Sequence, residues 1–217
     1  MTLMRETVEP ILQEDLGHGI FHTTHVCLDC AALVWVEMQA NRLRGAEVER
    51  LMVLGLLAGL LHDIRRNEEN HAEAGAEAAE TMLTVLALSK REMECICLAI
   101  RNHEAFATPV PCRLPWVQLI SDCLYDSDKF RWGADTFTHT LWYMANRQGL
   151  TLPDLVERFP WGMSGVIQIV DTFRTSTGRE FGPEIVQTGL EIGKEIYRYL
   201  LQRLREEPHE ERYPDQD

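Results

Sequence analysis

The chain has no unbroken apolar run near the ~18 residues of a membrane helix, although 45% of its 217 residues are hydrophobic. A membrane-spanning protein is therefore not expected. The opening segment, Met1 to Pro10, lacks a charged stretch followed by an apolar one, so no export signal is read there and a cytoplasmic location is expected. Basic residues are scarce: 21 Lys and Arg stand against 34 Asp and Glu, a net charge of −13. That balance argues against a nucleic-acid polymer or a membrane surface as partner, because phosphate tracks are bound by excess Lys and Arg. An anionic ligand must instead meet metal ions or a few local arginines. Period-2 alternation and internal repeats are also missing, which leaves no case for a sheet or a solenoid.

What is present reads as helix after helix. Residues 23–44 place Val26, Cys30, Leu33, Val34 and Met38 on one stripe, with Gly45 as a stop. Residues 46–63 open with acids, which suit a helix N-terminus, and then become almost wholly apolar, as a buried core helix should. Further helices are expected over 71–88, 91–103, 116–130, 135–148, 153–158, 163–173 and 183–206. Prolines 109, 111 and 115 mark a loop, and 207–217 reads as a disordered tail. The expectation is a single all-α domain, residues 1–206, large enough to bury its own core.

The six cysteines (27, 30, 95, 97, 112, 123) lie mostly among helix-forming apolar residues. Cys27 and Cys30 have a CxxC spacing, but no second CxxC with loop glycines accompanies them, so they read as reduced core thiols. Histidine and aspartate carry the sharper signal. His62-Asp63 ends the apolar run from Leu51 to Leu61, offering nitrogen and oxygen side by side to one borderline-hard cation. His25 lies upstream in Phe21-His-Thr-Thr-His-Val26, while His71, His103 and Asp128 lie downstream in helical segments. Helices packed round one core can bring such residues together, as bundles with carboxylate and imidazole metal sites do. His18 and His139 have no such company and read as structural.

The order His, then His-Asp, then two His, then Asp, over roughly residues 18 to 135, resembles the HD-domain superfamily of metal-dependent phosphohydrolases. His25 opens a segment similar to that family's first ligand motif. His71 stands in a His-x-x-x-Gly segment resembling that of members holding two metals, and Asp128 in Asp126-Ser-Asp-Lys129 resembles the closing aspartate motif. His103 in Asn102-His-Glu104 is close to the His-His-Glu of the cyclic-dinucleotide branch. Asn102 departs from that pattern, and no Gly-Tyr-Pro motif follows.

The resemblance implies an HD-domain helical bundle with one or two divalent ions of iron, manganese, nickel or cobalt. His25, His62, Asp63 and Asp128 would hold one ion, and His71, His103 and Asp63 the other; His71 and His103 could instead meet substrate or water. His22 would share the helical face of His25 if the helix began early, as a proton donor or a surface residue. Arg65, Arg66 and Lys129 are candidates for neutralising a substrate phosphate. Arg174 and Arg179, in the turn-like stretch from Phe173 to Pro183, could grip a phosphate or carboxylate, or merely join two helices. The leading expectation is hydrolysis of a nucleotide or small phosphate ester by a metal-activated water, with Asp63 bridging. Two alternatives use the same residues: a di-iron oxygenase acting on a small polar substrate, and a non-catalytic ligand-binding module. A homo-oligomer is left open.

Overall fold

The structure, a computed structural model, describes residues 2–12, 19–40 and 45–206; His18 and the expected tail 207–217 lie outside them. The described residues are all-α, without a strand: α1 Thr2–Leu12, α2 Ile20–Ala40, α3 Ala46–Leu61, α4 His71–Leu83, α5 Lys90–Arg101, α6 Pro115–Phe130, a π-helical turn Thr136–Thr140 running into α7 Leu141–Gln148, α8 Leu152–Gln168 and α9 Ser176–Glu206. None of these helices is long and apolar enough to cross a membrane.

Two hydrophobic cores divide the bundle. The first joins α1 to α6 and includes Val26, Leu54, Leu61, Ile96, Ile100, Ile120 and Leu124. The second joins the π-helical turn, α8 and α9 through Phe137, Phe159, Val166, Ile169, Phe173, Val186 and Leu190. Phe130, at the end of α6, packs against both.

Several boundaries differ from the periodic reading, each for a physical reason. Helix α1 was not expected, yet Met4, Val8 and Leu12 recur at i, i+4 and i+8 and all three are buried, the stripe of a helix laid on a core. Helix α3 stops at Leu61, so His62 is its C-terminal cap and Asp63 begins a turn. The two short helices expected over 153–158 and 163–173 are one helix, α8, which carries Pro160 in its interior. The expected turn 175–183 is instead the start of α9. There the buried Asp126 carboxylate accepts from the backbone N–H groups of Arg174 and Thr175 and from the Thr175 hydroxyl, and Thr175 Oγ1 accepts from Gly178 N–H. A tertiary carboxylate and a local cap thus begin a helix that composition alone reads as a turn.

Candidate metal centre

Five elements deliver the site. Gly59 is the reason that α2 and α3 meet closely: a Cβ there would lie 2.5 Å from the Cys27 Cα. With the backbones in contact, His62 at the end of α3 faces His22 on the first turn of α2, their Nε2 atoms 3.3 Å apart. His71 is the first residue of α4, and Gly75 one turn later lets that helix pass the His62 carbonyl, to which a Cβ would come within 3.3 Å. His103 follows the cap of α5, and Asp128 lies in the last turn of α6.

Asp63 turns its two oxygens to different neighbours. Oδ2 lies 3.3 Å from His62 Nε2 and 3.7 Å from His22 Nε2, whereas Oδ1 lies 3.4 Å from His103 Nε2. Asp128 Oδ1 closes the first side, 3.2 Å from His22 Nε2 and 3.8 Å from His62 Nε2. Two groups therefore have donor atoms close enough to share an ion: His22, His62 and Asp63, and Asp63, His71 and His103. Asp63 belongs to both.

The donors fit a cation. Atoms held about 2.0–2.2 Å from one ion at octahedral or tetrahedral angles sit about 2.8–3.6 Å from each other, the range in which most of these pairs fall. His62 Nδ1 lies 2.7 Å from the Gly59 carbonyl and His103 Nδ1 2.6 Å from the Ile100 carbonyl. A carbonyl only accepts, so each Nδ1 carries the hydrogen, and in the neutral ring Nε2 presents a lone pair, the tautomer of a metal ligand. His103 Nε2 is buried with no hydrogen-bond partner, a costly arrangement for a polar atom unless something else binds it.

Charge is arranged to the same end. Burial opposes the charged form of His62, but the neighbouring Asp63 carboxylate, with Asp128 and the Gly59 carbonyl, outweighs it and raises the pKa. Burial also opposes ionisation of Asp128, yet Lys129, then His22 and His62, hold its carboxyl well below the usual range. His71 is pushed down, first by burial and then by His103 and Arg66. The cluster is a concentration of negative charge and lone pairs at the bottom of a cavity of about 650 Å³.

Not every expected residue reaches it. The assignment of His25 as first ligand passes to His22. His25 is partly exposed, its Nδ1 bonded to the Phe21 carbonyl at 2.8 Å and its ring against Phe21. Extending the buried stripe Val26, Cys30, Leu33 back by four residues lands on His22, while His25 is one residue, about 100°, off it. Arg65 points away as well, half exposed and paired with Glu68 at 3.6 Å. Arg174 and Arg179 do not line the cavity. Arg174 lies over the Tyr125 ring at 3.5 Å and donates to the Asn102 carbonyl, and Arg179 donates to the Phe173 carbonyl.

Arg66 and Lys129 do line it. Arg66 donates to His71 Nε2 at 2.9 Å and lies 3.9 Å from Asp63 Oδ1. Lys129 is buried in an ion pair with Asp128. Asn102, the departure from the His-His pattern, is a clamp: its side chain spans the Val110 carbonyl and N–H and the Ser121 hydroxyl, tying down the loop beyond His103. Periodicity missed Arg131, which lines the cavity while bonded to Asp29 and Asp135, and the wall supplied by α8. Cysteine takes no part in either donor group. Cys27 and Cys30 are buried, and burial pushes the Cys27 thiol up to about 11 and that of Cys30 further, as suits core packing.

Among solved structures the chain is similar to a predicted HD superfamily hydrolase from an uncultured Thermotogales bacterium, with a TM-score of 0.56 over 94% of this chain and 92% of that one. The two proteins share one all-α fold. Identity is 20%, so the likeness is one of architecture. No family model and no curated protein matches the chain. In this chain the His-Asp pair sits where α2, α3, α4, α5 and α6 meet, in a buried group that could hold a metal ion.

Proposed function

We propose that the protein is a metal-dependent phosphohydrolase whose substrate is a small phosphorylated molecule. The observation that supports this reading most is Asp63, a buried carboxylate whose two oxygens face two separate imidazole groups, the arrangement of a bridging ligand. His22, His62, Asp63 and Asp128 would hold one divalent ion, and Asp63, His71 and His103 a second. Ions so placed supply Lewis acidity toward a phosphoryl oxygen and an activated water at neutral pH.

The chain's own residues do the rest. Arg66, at the cavity edge of the second group, is placed to receive a phosphoryl oxygen, and a guanidinium suits that geometry. Lys129 holds Asp128 ionised and oriented. Arg131, fixed by two carboxylates, adds a cation to the wall without freedom to swing. The net negative charge and a cavity of about 650 Å³ suit a small molecule better than a nucleic-acid polymer or a membrane.

Metal analysis of anaerobically purified protein, combined with a panel of phosphate esters and nucleotides, tests the reading. Two equivalents of metal are expected, falling to near one in His71→Ala or His103→Ala, with turnover lost and the helical signal kept. An unchanged metal count in both variants would mean a single-ion site. Activity seen only with dioxygen and bound iron would replace hydrolysis by oxygenation.

A further inference from the structure

The cavity is far larger than the cluster needs, and the wall supplied by α8 is built unlike the rest of the molecule. Glycine in a helix interior costs about 1 kcal/mol relative to alanine, so helical glycines need a reason. In α3, α4 and α9 that reason is contact: a Cβ at Gly55, Gly59, Gly75, Gly178, Gly182, Gly189 or Gly193 would fall within 3.3 Å of a neighbour. Gly162 and Gly165 of α8 are different. A Cβ on either meets nothing within 4 Å, and both line the cavity that holds the metal centre. Missing side chains keep a strip of bare helix open to the cavity where no protein atom fills the space.

Aromatic side chains line the same cavity. Trp161 precedes Gly162, lines the same cavity and is 82% exposed; Phe106, on the loop beyond His103, also lines it and is 59% exposed. Leaving such rings in water forgoes the burial that normally rewards them. Phe106 moreover has φ +65°, among the described residues the one non-glycine with positive φ. The same cavity carries the buried His103 Nε2, with no hydrogen-bond partner, and Arg66. The cavity thus offers partners both to an anionic group and to a flat, apolar one.

We infer that Gly162, Gly165, Trp161 and Phe106 form a subsite for a planar aromatic ring, so that the substrate is a phosphate ester carrying such a ring. The inference rests on the proposed phosphohydrolase reading for the phosphate end only. A flat ring can lie on the exposed helix backbone at the two glycines, with the aromatic side chains beside it. Stacking of a base on an aromatic side chain contributes about 1–3 kcal/mol, roughly five- to a hundredfold in affinity.

The test uses the full chain loaded with metal and three probes: adenosine 5′-monophosphate, 4-nitrophenyl phosphate and glycerol 3-phosphate. Binding by calorimetry should favour the two ring-bearing esters over glycerol 3-phosphate by tenfold or more. Preference for the nucleotide over 4-nitrophenyl phosphate would identify the ring as a nucleobase, and the reverse a smaller aryl group. Gly165→Leu fills open space in a helix and should fold with an unchanged or higher melting temperature. It should lose at least tenfold in affinity for the ring-bearing esters while binding glycerol 3-phosphate as before. Trp161→Ala and Phe106→Ala should each weaken the same esters about fivefold. Equal affinity for all three probes, no binding of any, or Gly165→Leu binding the ring-bearing esters like the wild type overturns the inference. If the ring preference appears and responds to Gly165→Leu but no ester is hydrolysed, the phosphohydrolase reading fails and the subsite stands. If all three are hydrolysed with equal KM, the reverse holds.

Discussion

The two cores hold different kinds of site residue. The α1–α6 region supplies every histidine and carboxylate of the candidate metal centre, each at or near a helix end and most with relative exposures under 9%. The region from the π-helical turn to α9 supplies Thr136, Thr140, Met144, Trp161, Gly162 and Gly165 to the same cavity, with no charge among them. On the proposed reading, the chemistry would sit on the larger core, where packing fixes donor positions to fractions of an ångström. On the proposed reading, most of the ring subsite would sit on the smaller one, where a wall can change shape without disturbing the ligands. The difference teaches that metal content and substrate choice are separable by mutation.

The sharpest way to break that division is Asp63→Asn, which removes the carboxylate common to both donor groups. Bound metal should fall to near zero by elemental analysis. Turnover should drop by roughly a thousandfold, more than the ten- to hundredfold that loss of an outer partner costs. Retention of two ions would show that Asp63 bridges nothing.

His22→Ala and His25→Ala sharpen the boundary within α2. The first should cost the ion on the His62 side and at least a hundredfold in activity, while the second should leave metal content unchanged and activity within a factor of about two, given its partly exposed ring. Loss of metal in His25→Ala alone would return the ligand role to His25.

Core substitutions compare the regions directly. Gly59→Ala drives a methyl into the α2 backbone and should destabilise by about 1–3 kcal/mol, the usual cost of overpacking, with weakened metal binding because His22 and His62 are forced apart. Phe159→Ala in the second core should cost about 3–5 kcal/mol in thermal or denaturant unfolding. Its metal stoichiometry should stay at the wild-type value while KM rises. Equal effects on metal in the two variants would show one undivided cooperative core.

The smallest effect lies far from the cavity. Glu92 caps α5 through Ser89 and pairs with Arg50, and its carboxyl is lowered from the usual 4.5 to about 2, first by the Arg50 hydrogen bond. A carboxylate lowered on folding contributes stability that is present above its unfolded pKa and lost as pH falls through the folded one. Glu92→Gln should therefore cost about 1 kcal/mol near neutral pH, and the gap should close between pH 4.5 and about 2. A gap constant across that window would assign the effect to packing.

Much of the molecule was legible along the chain, and the reasons for the misses are specific. Helices α2 to α6 follow from apolar spacing and from Ala- and Glu-rich composition, both local properties. Pro160 and the Gly-rich start of α9 misled because proline and glycine report local preference, whereas Asp126, about fifty residues upstream, satisfies the groups that begin α9. Arg174 and Arg179 stood between two readings for a related reason: cations in an apparent loop suit a ligand or a helix junction, and here they bond to backbone carbonyls. His22 lay within reach of the stripe rule once α2 was started at Ile20.

By itself the sequence determined an all-α chain with a buried helix ending in His62-Asp63 and further histidines and an aspartate in a fixed order, because helical period and the adjacency of two donors are properties of a few consecutive residues. Only the tertiary structure decided that His22 rather than His25 faces the pair, that Asp63 divides its oxygens between two imidazole groups, and that α8 closes the cavity with two bare glycines. Each of those outcomes depends on the rotational phase and close approach of helices tens to a hundred residues apart. A one-residue change of phase turns a side chain by about 100°, which is enough to move it from the site to solvent.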